Sequence, residues 1–501
     1  MLVRPCFLRI APKVHPLRLG LEALSVAWGL WPISVLFYVF CARIGYPMDL
    51  EWCEGGLLYQ AYRLLHGLPI YVRGDPTWEP WLYPIGHTVA LALVGIFHID
   101  FWTGRLVSIF FFCMMCVALF REIYRHIDER TFAIAAGVLA VATIACGFPV
   151  VGQWYDLIRV DSMMLALSIL GIARVGQPGA SLRRTTVTAV VLTSAILTKQ
   201  TAAFFIVWAC LFATVREPRV GLRLTTLTLL MTVLALALLQ WRTHGSYWFF
   251  TVTDPQRQPI RDAAFADGLR LVWRFAPFIA LVPLGCLLLA LRGWLRSRSV
   301  LWTGTLIMAL PVSLLPYAKE GGYINNLMPL VVLVGPVTVL LLADVAKQRG
   351  ALGVLARWGL IAGGALFLWV RPLHPSAYIP DQALRQAADE LNALVASLDG
   401  GVVVPELTFL PAHTGHTNLH WTAMSIISAE WSKRPMDEVA GLGMSGARWV
   451  ILQSQDNSWF AAHVRSQFRF ARNLPASAQV HMMTGQDLRL DELWQRPPVQ
   501  P

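Results

Sequence analysis

Apolar residues fall in long runs separated by short polar breaks. The runs lie near 21–42, 82–98, 105–120, 131–148, 161–175, 186–198, 201–215, 222–241, 273–291, 300–316, 326–343 and 354–371. A stretch of about 20 apolar residues is the length that spans hydrocarbon as a helix. The pattern predicts a polytopic α-helical membrane protein. After residue 371 the character changes. Residues 372–501 have ordinary polarity and proline-rich ends (Arg371-Pro372 and Pro497-Pro498), and predict one small α/β domain. Its expected elements are helix 381–398, strand 401–405, strand 447–453 and helix 457–468.

The breaks orient the runs. Basic clusters stand at Arg121/Arg125/Arg130, Arg174/Arg183/Arg184, Arg216/Arg219/Arg223, Arg292/Arg296/Arg298 and Lys347/Arg349/Arg357. Loops rich in Lys and Arg stay cytoplasmic, so the loops at 43–80, 149–160, 198–201, 242–272 and 317–325 face the other side. Arg4, Arg9, Lys13 and Arg18 precede the first run, which is too long for a signal-peptide core and lacks a clear cleavage site. An uncleaved first helix with a cytoplasmic N-terminus is expected. Run 82–98 breaks the alternation. It opens with Tyr83-Pro84, is bracketed by His87 and His98, and is read as half-inserted or surface-lying. About eleven crossings remain, and they place the C-terminal domain outside, beside loops 43–80 and 242–272.

Composition agrees. The 501 residues are 56% hydrophobic and 14% charged, against roughly 25% charged in soluble domains. The net charge of +11 sits in the short interhelical clusters, so a nucleic-acid partner is not expected. Cys113, Cys116, Cys146, Cys210 and Cys286 lie in apolar runs, where a thiol is a small hydrophobe. The Cys-Met-Met-Cys at 113–116 is therefore packing, and there is no disulfide framework.

Ionisable residues beside helix ends in so apolar a chain are costly unless paired or used. Four places on the expected outer face hold them. Asp49, Glu51 and Glu54 precede or open a helical stretch that ends at Gly67. One acid suffices for a cap at an interfacial helix with Trp52, Tyr59 and Tyr62 as belt residues, and three are present. A carboxylate can take the proton of an acceptor hydroxyl. Tyr155-Asp156-Leu-Ile-Arg159-Val-Asp161 heads the next apolar helix, either as a cap or ion pair or as a second acid. Thr198-Lys199-Gln200-Thr201 interrupts two short runs, and its lysine either snorkels or meets a phosphate. Tyr317-Ala-Lys319-Glu320-Gly-Gly-Tyr323-Ile-Asn325-Asn326 is either a solvated turn or part of a site. Loop 242–272, with Arg257, Arg261 and Arg270, is long for a structureless link, which favours function or mobility.

In this order, these places resemble the GT-C membrane glycosyltransferases, in particular the bacterial branch of protein O-mannosyltransferases and lipid A aminoarabinose transferase. The matching features are Glu54 in an acidic first outer loop, Leu64-Leu65-His66-Gly67 with Tyr71, Pro80 through Pro84, and Arg105 opening a helix. Arg159-Val-Asp161, Leu197-Thr-Lys199-Gln200 and Gly321-Gly322 with Asn325-Asn326 complete the set, over residues 20–340. The resemblance implies a helix bundle with interfacial helices and a donor sugar on polyprenyl phosphate reached from within the bilayer. It also implies a base at Glu54 or Glu51, a second acid at Asp161 and Lys199 at the donor phosphate. Where relatives often carry an Asp-Glu pair, this chain has separated acids, so the choice between Glu51 and Glu54 stays open. Some relatives use a divalent metal and others do not, so the cofactor is also open. The remaining substrate-binding candidates are Tyr83, Arg159, Gln200, Arg257, Arg261, Lys319, Glu320 and Asn325.

The expected activity is therefore sugar transfer from a lipid-linked donor to a hydroxyl of a glycan, lipid or protein, with inversion, at the periplasmic face of a bacterial inner membrane. The rival is a lipid or polysaccharide transporter or flippase. It predicts acids at mid-membrane depth and two related halves, neither of which is seen. Gly441-Leu-Gly443-Met-Ser-Gly446 precedes a strand instead of following one and is not a dinucleotide site. His413, His416 and His420 lack a nearby acid and are not read as a metal site.

Overall fold

The computed structural model describes residues 16–73, 75, 78–177, 181–416, 444, 446–485 and 489–497. Six helices among them are long and apolar enough to cross a membrane: α1 (Pro16–Ile44), α4 (Phe101–His126), α9 (Pro218–Arg242), α14 (Ser297–Ala318), α15 (Met328–Ala346, preceded by the turn Ile324–Leu327) and α16 (Ala351–Val370). The other expected crossings correspond to shorter helices, α5 (Arg130–Cys146), α6 (Val160–Val175), α7 (Leu182–Ile196) and α8 (Ala202–Arg216), and to a bent pair. That pair breaks the run expected over 273–291. Past the short α10 (Ser246–Trp248) and α11 (Asp254–Arg257), helix α12 (Ala264–Phe275) and the segment Pro277–Leu291, which contains α13 (Leu281–Leu291), meet at 103°. Pro277 cannot continue the α12 hydrogen-bond ladder, and Ala276 before it leaves the helical region.

Run 82–98 forms only the nine-residue α3 (Gly86–Val94), too short to cross. With α2 (Glu54–Leu65) it builds a small aromatic core around Trp78, Trp81 and Tyr59.

Helix α15 is the axis of the bundle. Its Val/Leu surface is apolar on every side, the pattern of a helix enclosed by others, and it packs against α4, α5, α13, α14 and α16. Helix α9 is the opposite case. Leu229, Leu230, Val233, Leu234, Leu238 and Trp241 are exposed along it, a surface suited to lipid.

The C-terminal part has a four-stranded sheet in the order β1-β2-β4-β3, from β1 (Gly401–Val403), β2 (Ala447–Leu452), β3 (Arg469–Asn473) and β4 (Glu492–Gln495). β1 and β2 are parallel, and β4 runs antiparallel to both of its neighbours. Two of these strands are additional to those expected, since β3 is exposed along its length and carries no apolar alternation. Helices α17 (Gln382–Ser397) and α19 (Trp459–Gln467) lie where the sequence pattern predicts them. The sheet is not separate from the bundle. Tyr46, Met48 and Leu50 of the first loop, with Trp154 and Leu157, are buried in one core with Leu384, Leu391, Val402 and Ile451. α18 (Leu410–His413) adds a second contact, with Phe409 edge-on to Phe101 at 5.8 Å.

Candidate active site

Three polar loops meet at the end of the bundle beneath the sheet: 45–53, 147–159 and 197–201. The chain reaches the first of them through a buried arginine. Arg105, near the start of α4, donates all five of its N–H groups. Two go to Glu54, at 3.1 and 2.8 Å, and the others to the carbonyls of Arg43, Tyr46 and Met48. Asp100 caps α4 through a reciprocal box with Thr103, which fixes where that arginine points. Glu54 also accepts from the backbone N–H groups of Leu50 at 2.7 Å and Ile158 at 3.0 Å. Its four acceptor positions are filled by protein. Glu54 is the clamp that joins the first loop to the second, and it has no free lone pair for a substrate proton.

Beside it, Arg43 pairs with Asp156 at 3.1 Å, with both side chains fully buried. Burial pushes the Asp156 carboxyl up to about 6, against the pull of Arg43. Asp49 caps the first turn of α2 by accepting from Gly55 N–H at 2.5 Å, and burial raises it well above the usual carboxylate range. The close fit of α2 depends on Gly56, where an added Cβ would lie 1.9 Å from the Trp81 indole nitrogen.

Glu51 differs from Glu54 in keeping an oxygen open, as Asp49 also does, and from Asp49 in pairing with an arginine. Its Oε2 accepts from Cys53 N–H at 3.2 Å and from Arg159 at 3.4 Å. Its Oε1 has no protein partner among the described residues, and the residue is 1% exposed. Burial pushes its pKa up to about 7, with Arg159 opposing the rise and the Glu54 charge adding to it. The C-terminal domain lies over it. Met483 N–H donates to the Leu50 carbonyl, Thr484 Oγ1 donates to that of Gly152, and a Cβ added at Gly485 would be 3.0 Å from Glu51 Cγ.

Arg159 and Asp161 do not pair with each other as the i, i+2 spacing allowed. Arg159 is the extended residue before α6, so the two side chains diverge. Arg159 reaches Glu51 and the Tyr83 hydroxyl at 3.0 Å, and lies 4.4 Å over the Trp154 ring. Asp161 takes Lys199 Nζ on one oxygen at 2.7 Å and Asn325 Nδ2 on the other at 3.2 Å. Lys199 also donates to Asn326 Oδ1 at 3.0 Å. Glu51, Glu54, Asp161, Lys199, Arg159, Tyr83 and Asn325 thus fall into three adjacent sets, Glu54 with Arg105, Glu51 with Arg159 and Tyr83, and Asp161 with Lys199 and Asn325. Lys199 is buried and already neutralised within its set, which is a different situation from a lysine waiting for a phosphate.

The remaining candidates separate by role. Gln200 ties the Leu82 and Thr251 carbonyls together at 2.7 and 2.8 Å. Lys319 donates to Pro255 O at 2.5 Å, and Arg261 to Gly322 O at 2.9 Å and to Tyr317 O. With the bridge Ile260–Lys319, they staple loop 255–261 to the turn at 317–322. Their donors go to backbone, and Glu320 is exposed on that turn. Arg257 lies elsewhere, in the wall of a cavity of about 1380 Å³ between the first loop and the end of α9. Arg73, Arg242, Glu79, Tyr71 and Phe249 share that wall. Tyr71 donates to the Tyr83 carbonyl at 2.8 Å, so one residue separates the cavity from Arg159.

His87 is the residue that sequence reasoning left without a role. It is buried in the same cluster, and a lone histidine in an apolar run gives no periodic or spacing signal. No three His, Cys, Asp or Glu among the described residues stand together as a metal site. His413 lies against Phe101 and Phe409, His416 hydrogen-bonds the Val395 and Gly400 carbonyls, and His420 and Gly441–Gly443 fall outside the described residues.

No family model matches the sequence, and no curated protein matches it. Solved structures do match by fold. ArnT from Cupriavidus metallidurans in the apo state superposes with a TM-score of 0.55 at 12% identity, over 94% of this chain and 98% of that one. The archaeal oligosaccharyltransferase AglB from Archaeoglobus fulgidus, in complex with an inhibitory peptide and a dolichol-phosphate, gives 0.47 at 10% identity, over 92% of this chain and 76% of that one. Through its likeness to ArnT along nearly the whole chain, this protein has the fold of the GT-C membrane glycosyltransferases.

Proposed function

We propose that the chain transfers a sugar from a polyprenyl-phosphate donor to a hydroxyl acceptor, with Glu51 as general base. The observation that carries this reading is the contrast among the acids. Glu54 and Asp161 have their oxygens occupied by protein; Asp49 and Glu51 each keep one oxygen unpartnered, and of these two Glu51 is the one paired with an arginine, in a buried setting that raises its pKa to about 7. A base is most useful when its pKa lies near the working pH. The acceptor O–H gives its proton to Glu51 while its oxygen bonds to the anomeric carbon. The bond from that carbon to the phosphate oxygen breaks, and the lipid phosphate leaves with the electron pair, inverting the centre. Arg159 holds the Glu51 carboxylate, and the Lys199–Asp161–Asn325 group holds the floor of the site.

The donor lipid fits the cavity beside α9. Its wall carries Arg73, Arg242 and Arg257, suited to a phosphate leaving group, and the exposed apolar face of α9 adjoins it. This assigns the phosphate to the arginines, with Lys199 as a support. The acceptor is a glycan, lipid or protein hydroxyl outside a bacterial inner membrane, under the C-terminal domain.

The test is transfer of radiolabelled sugar from polyprenyl-phosphate donors in membranes of a strain lacking the gene, complemented with wild type, Glu51→Gln or Arg257→Ala. The Glu51 change is expected to remove transfer about 10²–10⁴-fold, and the Arg257 change to raise the donor KM. Wild-type transfer by Glu51→Gln would overturn the assignment of the base.

A further inference from the structure

The reaction proposed above uses the carboxylates and cations of the cluster and leaves His87 idle. His87 is the second residue of α3 and is 1% exposed. Helix α3 starts against the turn that carries Lys199: Gly86 N–H donates to the Leu197 carbonyl at 2.6 Å. A Cβ added at Gly86 would sit 2.6 Å from that oxygen, so glycine is what permits the approach. The charged groups that bear on the imidazole are Arg159 and Asp161, members of the candidate active site. Among the described residues neither Nδ1 nor Nε2 has a hydrogen-bond partner.

A buried polar ring without partners weakens a fold relative to an apolar side chain of the same size. Its chemistry indicates what it would bind. Burial first, and the Arg159 charge second, push its pKa down to about 3, so the ring is neutral at physiological pH. A neutral imidazole offers one N–H donor and one bare nitrogen acceptor. A phosphate supplies acceptors only and would face the bare nitrogen lone pair on one side. A hydroxyl both donates and accepts, and matches the ring.

We propose that His87 is a specificity residue that hydrogen-bonds an uncharged hydroxyl of the substrate, on the donor sugar or on the acceptor, within the Glu51–Arg159–Asp161 cluster. The proposal rests on the reading of this cluster as the transfer site. Its test uses the full-length protein in nanodiscs. The donor is a lipid extract, and the acceptor an envelope fraction, of a strain lacking the gene, each titrated separately. The variants are His87→Phe, His87→Leu and His87→Gln, with Glu51→Gln in parallel.

His87→Phe is expected to melt no lower than wild type and to lose kcat/KM about ten- to a hundredfold. His87→Gln, which keeps a donor and an acceptor, is expected to recover most of that loss. A rise in the donor KM places the hydroxyl on the sugar, and a rise in the acceptor KM places it on the acceptor. If the phenylalanine proves too bulky and lowers the melting temperature, His87→Leu is read in its place. Wild-type transfer by both apolar variants would overturn the proposal, as would a glutamine variant no better than they are. Undiminished transfer by Glu51→Gln would instead remove the assigned base, and the contrast between Gln and Phe at residue 87 would still be read.

Discussion

At the basic end of the bundle, Asp344 on α15 takes His126 on one oxygen at 2.6 Å and Ser299 on the other at 2.5 Å, with Arg296 alongside at 3.6 Å. Nearby, Glu122 takes Trp302 and Arg298 on one oxygen and faces Arg125 with the other. At the opposite end Glu51 gives one oxygen to Arg159 and keeps the other free, and His87 keeps both ring nitrogens free. Both ends bury carboxylates beside arginines. In the basic-end group the Asp344 and Glu122 carboxylates have partners on both oxygens, as buried polar groups in a structural network need. The other end combines closed pairs, Glu54–Arg105 and Asp161–Lys199, with open groups held between them. Burial and ion pairing alone do not mark a site here, and neither does a single open oxygen, which Glu22 and Asp49 also have; the clustering of open groups on Glu51, Arg159 and His87 does.

Activity separates the two ends most strongly. Glu51→Gln keeps the shape and removes the base, so transfer should fall about 10²–10⁴-fold while the melting temperature in detergent stays near that of wild type. A variant that unfolds instead would place Glu51 with the closed pairs.

The closed end should respond the other way. Asp344→Asn removes the carboxylate that His126, Ser299 and Arg296 share, and leaving a buried hydrogen-bonding group without its partner costs about 1–3 kcal/mol. Thermal unfolding should shift down, while the transfer rate per folded molecule stays within a few-fold. Loss of catalysis with unchanged stability would erase the distinction between the two ends.

The smallest effect sharpens the background. Arg270 and Asp267 form an i, i+3 pair on α12 with both side chains about half exposed or more. Arg270→Ala should change stability by less than about 0.5 kcal/mol and leave transfer intact. A marked loss of transfer would place that exposed helix face in the donor path.

Much of this was legible in the chain. The apolar runs marked the helices, and the loop charges separated the two ends. The alternation singled out run 82–98, which forms the short α3. The GT-C resemblance anticipated the fold, and the four polar breaks contain Glu51, Glu54, Arg159, Asp161, Lys199 and Asn325, whereas Arg43, Tyr83, His87 and Arg105 come from the helices and run beside them. Ranking those residues was beyond sequence reading. Three acids within six positions look equivalent until Arg105, 51 residues beyond Glu54, and the N–H groups of Leu50 and Ile158 together fill Glu54. The spacing of Arg159 and Asp161 left an ion pair, a cap and a second acid all open, because the extended backbone that separates the two side chains gives no signal in the sequence. Lys319 and Arg261 read as substrate ligands, because donation to backbone carbonyls leaves no mark on spacing. The break at Ala276-Pro277 was visible as a proline, but its 103° consequence depends on how α12 packs against α14.

The pH dependence of kcat/KM tests the central claim, that Glu51 is the base in an open polar site, most directly. A base must be ionised to work, and burial has raised this one to about 7. The acid limb should therefore bend near pH 7, with activity falling tenfold per unit below it and rising to a plateau above. Folding linkage runs the opposite way: a raised carboxyl pKa favours the fold below its unfolded value, and that contribution is lost as pH rises through 7. Acid loss of rate without acid unfolding is the predicted result. A limb near the ordinary carboxylate value, or the same limb in Glu51→Gln, would contradict the account.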